Sequence, residues 1–174
     1  MEQATREQLI DEVARDPSNP DKKLALARKY IEEHAPARAL PLIEETLSLD
    51  EDNPHAFLAL GLCWGLAIMK EMPIREIWGR EMDEEIMVER AIDAFERALE
   101  IDPELVLAYN SLARIYTVRG QDEEAEEMLN QSLNVDQGQI DVLEALQELT
   151  GKHMWEIQGR ETDMGDEDEE EQPF

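Results

Sequence analysis

Small and bulky apolar residues return at fixed distances along this chain, with polar clusters punctuating them. Leu26, Ala27 and Tyr30 reappear 34 residues later as Leu60, Gly61 and Trp64, and Asp16 reappears as Asp50. Ala91, Phe95, Leu99, Ile101 and Asp102 reappear at the same 34-residue step as Ala125, Leu129, Leu133, Val135 and Asp136. Leu60, Gly61 and Trp64 also map onto Leu112, Ala113 and Tyr116, but at a step of 52, so one unit carries 18 extra residues. A self-similarity of this period marks a stack of helical units. Glu, Ala and Leu dominate the composition, and all three favour helix. The pattern predicts a leading helix at about 3–15, helical hairpins at about 20–50, 54–102 and 105–135, and a solvating cap helix at about 139–149. Pro17 and Pro103 follow predicted helix ends, while His34 and Gly120 fall at the turns inside hairpins, where a left-handed backbone is useful.

These residues resemble the tetratricopeptide repeat family, whose period is about 34 residues. Phe57, Leu60, Gly61 and Trp64 fit the first helix of one unit, and Tyr109, Leu112, Ala113 and Tyr116 that of another. Lys23, Leu26, Ala27 and Tyr30 fit a third, with Lys in place of the first aromatic. For the second helix Ala91, Phe95, Ala98, Leu99 and Asp102-Pro103 match fully. Ala39, Ile43, Thr46, Leu47 and Asp50 match more loosely, as do Ala125, Leu129, Ser132, Leu133 and Asp136. The resemblance implies an all-α, right-handed superhelix of helical hairpins, with Ala and Gly at the crossings so that helices approach closely. It divides the chain into a repeat domain at 1–150, with repeats at about 20–53, 54–105 and 106–139, and an acidic tail at 151–174. The leading helix reads as the second half of an incomplete repeat, since "DPSNP" ends it as "DEDNP" ends the next unit.

The insertion falls near 66–86, at the turn of the middle hairpin. Both helices are expected to overrun the array there by roughly two turns each. "EMPIREIWGRE" then forms the tip, with Pro73 and Gly79 as breakers. Met72, Ile74, Ile77, Trp78 and Met82 are its apolar side chains. They either pack locally or form a knob for a partner or a second copy, because Met and Trp suit interaction surfaces.

The resemblance further implies a concave face lined by the first helices, where partner peptides lie. The corresponding positions are Asp21, Leu24, Arg28 and Ile31, then His55, Leu58, Leu62 and Gly65, then Leu107, Asn110, Arg114 and Thr117. This is a strip of Leu residues with Arg28 and Arg114 as positive points. Relatives that hold the acidic C-termini of heat-shock chaperones carry Lys, Asn, Asn, Lys and Arg at five clamp positions. Here those positions hold Leu24, Arg28, Ala59, Leu107 and Ser111, so that specialisation is not expected.

Charge narrows the partners. A formal net charge of −27 opposes nucleic acid and anionic membrane surfaces. It fits a soluble protein, a basic partner or a high-salt cytoplasm. Residues 151–174 hold nine acidic residues against Lys152 and Arg160, a net of −7, and the end "GDEDEEEQPF" has the composition of a solvated tail. The single Cys63 permits no internal disulfide and reads as core beside Trp64. His34, His55 and His153 fall in different units without metal-ligand spacing, and no phosphate loop occurs. The start lacks a signal-peptide pattern, so the expectation is cytoplasmic.

The expected function is a non-enzymatic, cofactor-free adaptor that holds a peptide or amphipathic helix of another protein in the groove. Two alternatives stay open: self-assembly through the inserted hairpin, and a small secretion or assembly chaperone that shields an apolar client segment. "EIWGRE" at 76–81 and "EIQGRE" at 156–161 are alike, but their 80-residue separation is foreign to the repeat.

Overall fold

The computed structural model describes residues 4–69 and 83–158. The regular elements among them are all helical. In order they are α1 (Arg6–Arg15), α2 (Pro20–Glu32), α3 (Pro36–Leu49), α4 (Pro54–Met69), α5 (Glu84–Ile101), α6 (Val106–Val118), α7 (Asp122–Val135), α8 (Ile140–Thr150) and the single-turn α9 (Met154–Ile157).

The polar punctuation acts four times in the same way. Asp16, Asp50, Asp102 and Asp136 close α1, α3, α5 and α7, each with its N–H donating to the carbonyl four residues back. The short Asp side chain then bonds to groups just beyond it and draws the chain out of the helix. Asp16 accepts from Asn19 Nδ2 at 3.3 Å, Asp50 from Asn53 Nδ2 at 2.9 Å, Asp102 from the Glu104 N–H at 3.0 Å and Asp136 from the Gly138 N–H at 2.9 Å. Asn19 and Asn53 in turn cap the next helix by accepting from the N–H groups of Lys22 and Ala56. Lys22, also bonded to Asp16, holds that carboxyl below its ordinary value. The α1 terminus ends like the others, as expected of a half repeat. Within the hairpins His34 (φ 55°) and Gly120 (φ 69°) both adopt the left-handed conformation at the turn.

The helices pair as α2 with α3, α4 with α5 and α6 with α7, and each hairpin stacks on the next. Small residues set the spacing. Ala27, Ala39, Ala56, Ala59 and Cys63 are all buried where α2, α3 and α4 meet, around Ile43. In the middle hairpin a Cβ added to Gly61 would stand 2.6 Å from the Phe95 ring, closer than a carbon contact allows. Phe95 is 2% exposed and anchors the cluster that joins α4, α5 and α6. At the position that received Lys in place of an aromatic, the Lys23 stem is buried and its ammonium pairs with Glu45. Thr46 and Ser132, at equivalent buried positions, satisfy their hydroxyls, Thr46 by donating to the Leu42 carbonyl and Ser132 by donating to Gln139.

In the middle hairpin α5 begins one turn earlier, relative to Ala91, than α3 and α7 begin relative to Ala39 and Ala125. α4 likewise continues past Trp64 further than α2 runs past Tyr30. The overrun seen at the start of α5 is thus one turn. The predicted tip, with Met72, Ile74, Ile77, Trp78 and Met82, lies outside the described residues.

Candidate interaction groove

One face of α6 stands open. Leu107 is 51% exposed and Val118 is 84% exposed, a high fraction for branched apolar side chains. They lie three helical turns apart, about 16 Å along the axis at 1.5 Å per residue. Ser111 and Arg114 fall between them on the same face. This i, i+4, i+7, i+11 stripe borders two concavities that share Ser111, Arg114 and Val118. The first, about 630 Å³, has α8 as its other wall, through Asp141, Val142, Ala145, Glu148 and Leu149. The second, about 480 Å³, is walled by Ile31 of α2, by Leu62, Gly65, Leu66 and Ile68 of α4, and by Glu84, Glu85 and Val88 of α5. The two form a groove along α6 with a largely aliphatic floor.

Several residues expected on this face lie along it. Leu62, Gly65 and Arg114 line the groove, with Leu107, Asn110 and Thr117 in its α8 half. Ile31 borders the α4 half, and Arg28, Asp21 and His55 are exposed on the first helices of their units. Leu24 and Leu58 do not reach the open face. Leu24 is 6% exposed and packs with Ala27, Ala39 and Ile43, and Leu58 is 4% exposed and packs with Phe95 and Leu112. The reason is helical phase. At 3.6 residues per turn, the open stripe of α6 passes one residue after Asn110, the counterpart of Leu24 and Leu58, whose column turns inward. Asn110 shares that column and is half-buried. Its Nδ2 donates to Gln139 Oε1 at 2.9 Å, and its Oδ1 is buried without a partner among the described residues. Gln139 ties this position to α7, since its Nε2 donates to the Ser132 carbonyl at 3.0 Å and to the Asp136 carbonyl at 2.9 Å.

Two contributions escaped the sequence reading. Val118 ends the stripe, and an i, i+11 count from Leu107 would have found it. α8, expected only to solvate the end of the stack, buries Val142, Leu143 and Leu146 and offers a second wall to the groove.

The electrostatics of the groove are uneven. Arg119 is paired with Glu85 at 2.5 Å, and Arg114 is engaged in an interaction of its own. Glu84, Asp141 and Glu148 have no ion pair among the described residues. Cys63 lies behind the groove in the packed core, and burial pushes its thiol up to about 12, far from thiolate chemistry at neutral pH. Among the described residues no group of three or more His, Cys, Asp or Glu could hold a metal ion. No helix among them is long and apolar enough to cross a membrane.

Residues 87–149 match the family model of the tetratricopeptide repeat. Among curated proteins none matches the sequence. Solved structures share the architecture. A crystal structure of MamA is 20% identical, with a TM-score of 0.61 over 89% of this chain and 77% of that one. A thermophilic tetratricopeptide repeat protein of Thermus thermophilus is 17% identical, with a TM-score of 0.68 over 89% of this chain and 73% of that one. PilF of Pseudomonas aeruginosa is 20% identical, with a TM-score of 0.63 over 83% of this chain and 58% of its own. At such identities the likeness is one of fold. The tetratricopeptide repeat model thus covers α5–α8, and the likeness to the solved structures extends the same architecture over most of the chain: an all-α superhelix of helical hairpins.

Proposed function

We propose that this protein is a non-enzymatic interaction scaffold that holds a segment of another protein in the groove along α6. The tetratricopeptide fold generally serves protein–protein interaction, and here one observation supports the site. Leu107 and Val118 are exposed at the two ends of a concave, mainly aliphatic stripe that the neighbouring helices wall but do not cover. Aliphatic groups held open to water cost free energy that a partner's side chains would recover, at roughly 25 cal/mol per Å² buried. Side chains at helical spacing or an extended strip of apolar residues both suit a groove of this length.

The test is affinity capture with the full chain, followed by the same capture with Leu107→Gln and Val118→Gln combined. Both changes sit on exposed positions and keep good helix formers, so circular dichroism and melting should be unchanged. A partner retained by wild type and lost by the double variant supports the groove. A partner held equally by both sinks it. Light scattering of each sample tells partner loss from a change in self-association.

A further inference from the structure

We propose that the occupant of the α6 groove is a cationic amphipathic segment of another protein, with apolar side chains on the Leu107–Val118 stripe and Lys or Arg residues against Glu84, Asp141 and Glu148. This rests on the groove reading above and adds the chemistry of the guest.

The net charge of −27 would attract any cation weakly, but at physiological ionic strength charges are screened beyond about 8 Å. Only groups at the groove act strongly on something inside it. Those groups divide clearly. Arg119 is neutralised by Glu85, and Arg114 has an interaction of its own. The carboxylates of Glu84, Asp141 and Glu148 border the aliphatic floor with no ion pair among the described residues. Asp141 and Glu148 are both on α8, two turns apart on the face that walls the groove. Cations spaced by two turns on a guest helix, or by a few residues on an extended guest, would meet both. Among the described residues that line the groove, an acidic guest would meet three carboxylates without an ion pair, and both arginines there are already engaged.

The same charges exclude the chain's own end as the occupant. Residues 159–174 carry eight acidic residues and one Arg. Placing that segment against Glu84, Asp141 and Glu148 sets like charges together without compensation. A basic partner, by contrast, is attracted by the groove and by this segment alike, which raises its encounter rate.

The experiment uses the full chain and designed fluorescent peptides of about five helical turns. One has Leu on one face and Lys on the other, one has Leu with Glu, and one has the Lys spacing with Gly in place of Leu. The Leu/Lys peptide should bind at least about tenfold more tightly than the Leu/Glu peptide and weaken as salt rises. Asp141→Asn with Glu148→Lys should weaken it by about tenfold and strengthen the Leu/Glu peptide, as expected for losing and reversing surface ion pairs. Leu107→Gln with Val118→Gln should weaken it too. Melting curves check that each variant folds, and the loss of salt dependence in the Asp141 and Glu148 variant separates local from diffuse attraction.

Tighter binding of the Leu/Glu peptide, still lost in the Leu107 and Val118 variant, overturns the cationic guest while leaving the groove in place. A Leu/Lys affinity indifferent to Asp141 and Glu148 assigns the attraction to diffuse charge and also overturns it. Equal binding of the Lys/Gly peptide removes the apolar stripe from recognition, and the groove reading fails with it.

Discussion

The α4–α5 hairpin and the unit formed by α6, α7 and α8 share one sequence motif and put it to different use. α4 is packed by α2 and α3 before it and by α5 and α6 after it, and Gly61, Cys63, Trp64 and Ala67 are all buried. The Phe95 ring leaves no room for a methyl group at Gly61. α6 carries the small residue Ala113 in the place of Gly61, also buried, yet its opposite face is open at Leu107, Arg114 and Val118. Where the middle unit closes its interior with aromatic and alanine contacts, the last unit uses a polar junction at Gln139. The lesson is that a repeat motif specifies the inward face of a helix. What happens on the outward face depends on which neighbours arrive there.

Four single substitutions and one double variant sharpen this contrast. Phe95→Ala removes the anchor shared by α4, α5 and α6, and should cost about 3–5 kcal/mol by denaturant unfolding. A loss below about 1 kcal/mol would mean that the middle unit is not the closed one. Gly61→Ala should cost about 1–3 kcal/mol, because the Phe95 ring must move, despite the better helix propensity of Ala. The reverse sign is expected at Gly65 in the same helix, where nothing lies within 4 Å of an added Cβ. Gly65→Ala should stabilise by about 0.5–1 kcal/mol, and equal melting shifts for the two would contradict the packing difference. In the last unit, Gln139→Ala strips partners from Asn110 and Ser132 and should cost about 1–3 kcal/mol, read from the same unfolding curves. Because Gln139 joins α7 to α8, amide exchange should accelerate first in α8, and uniform acceleration would count against a local junction. Smallest of all, the groove variant Leu107→Gln with Val118→Gln should leave stability within about 0.5 kcal/mol, since both side chains are largely exposed.

How far the sequence could be read follows from the same distinction. The Asp residues at 16, 50, 102 and 136 end four helices in the same geometry, and their spacing was visible because each acts on atoms within a few residues. His34 and Gly120 were legible as turns for the same reason. The placement of Leu24 and Leu58 on the groove was not. A single residue of helical phase separates the open stripe from the buried column, and the apolar side chain is at home in both. α8 looked like a terminal cap because its sequence shows an apolar side and a polar side without showing what stands opposite. Only in three dimensions does its polar-edged face become the second wall of a groove.

By itself the sequence determined the order of helices α1 to α8, their approximate ends, and the small residues at their crossings. These are consequences of local bonding and of a period set by backbone geometry. The tertiary structure alone decided which carboxylates stand beside an aliphatic stripe without an ion pair among the described residues, and that Leu107 and Val118 remain uncovered by the neighbouring helices. Those properties belong to relations between α5, α6 and α8, whose residues are distant in the chain, and no local preference encodes them.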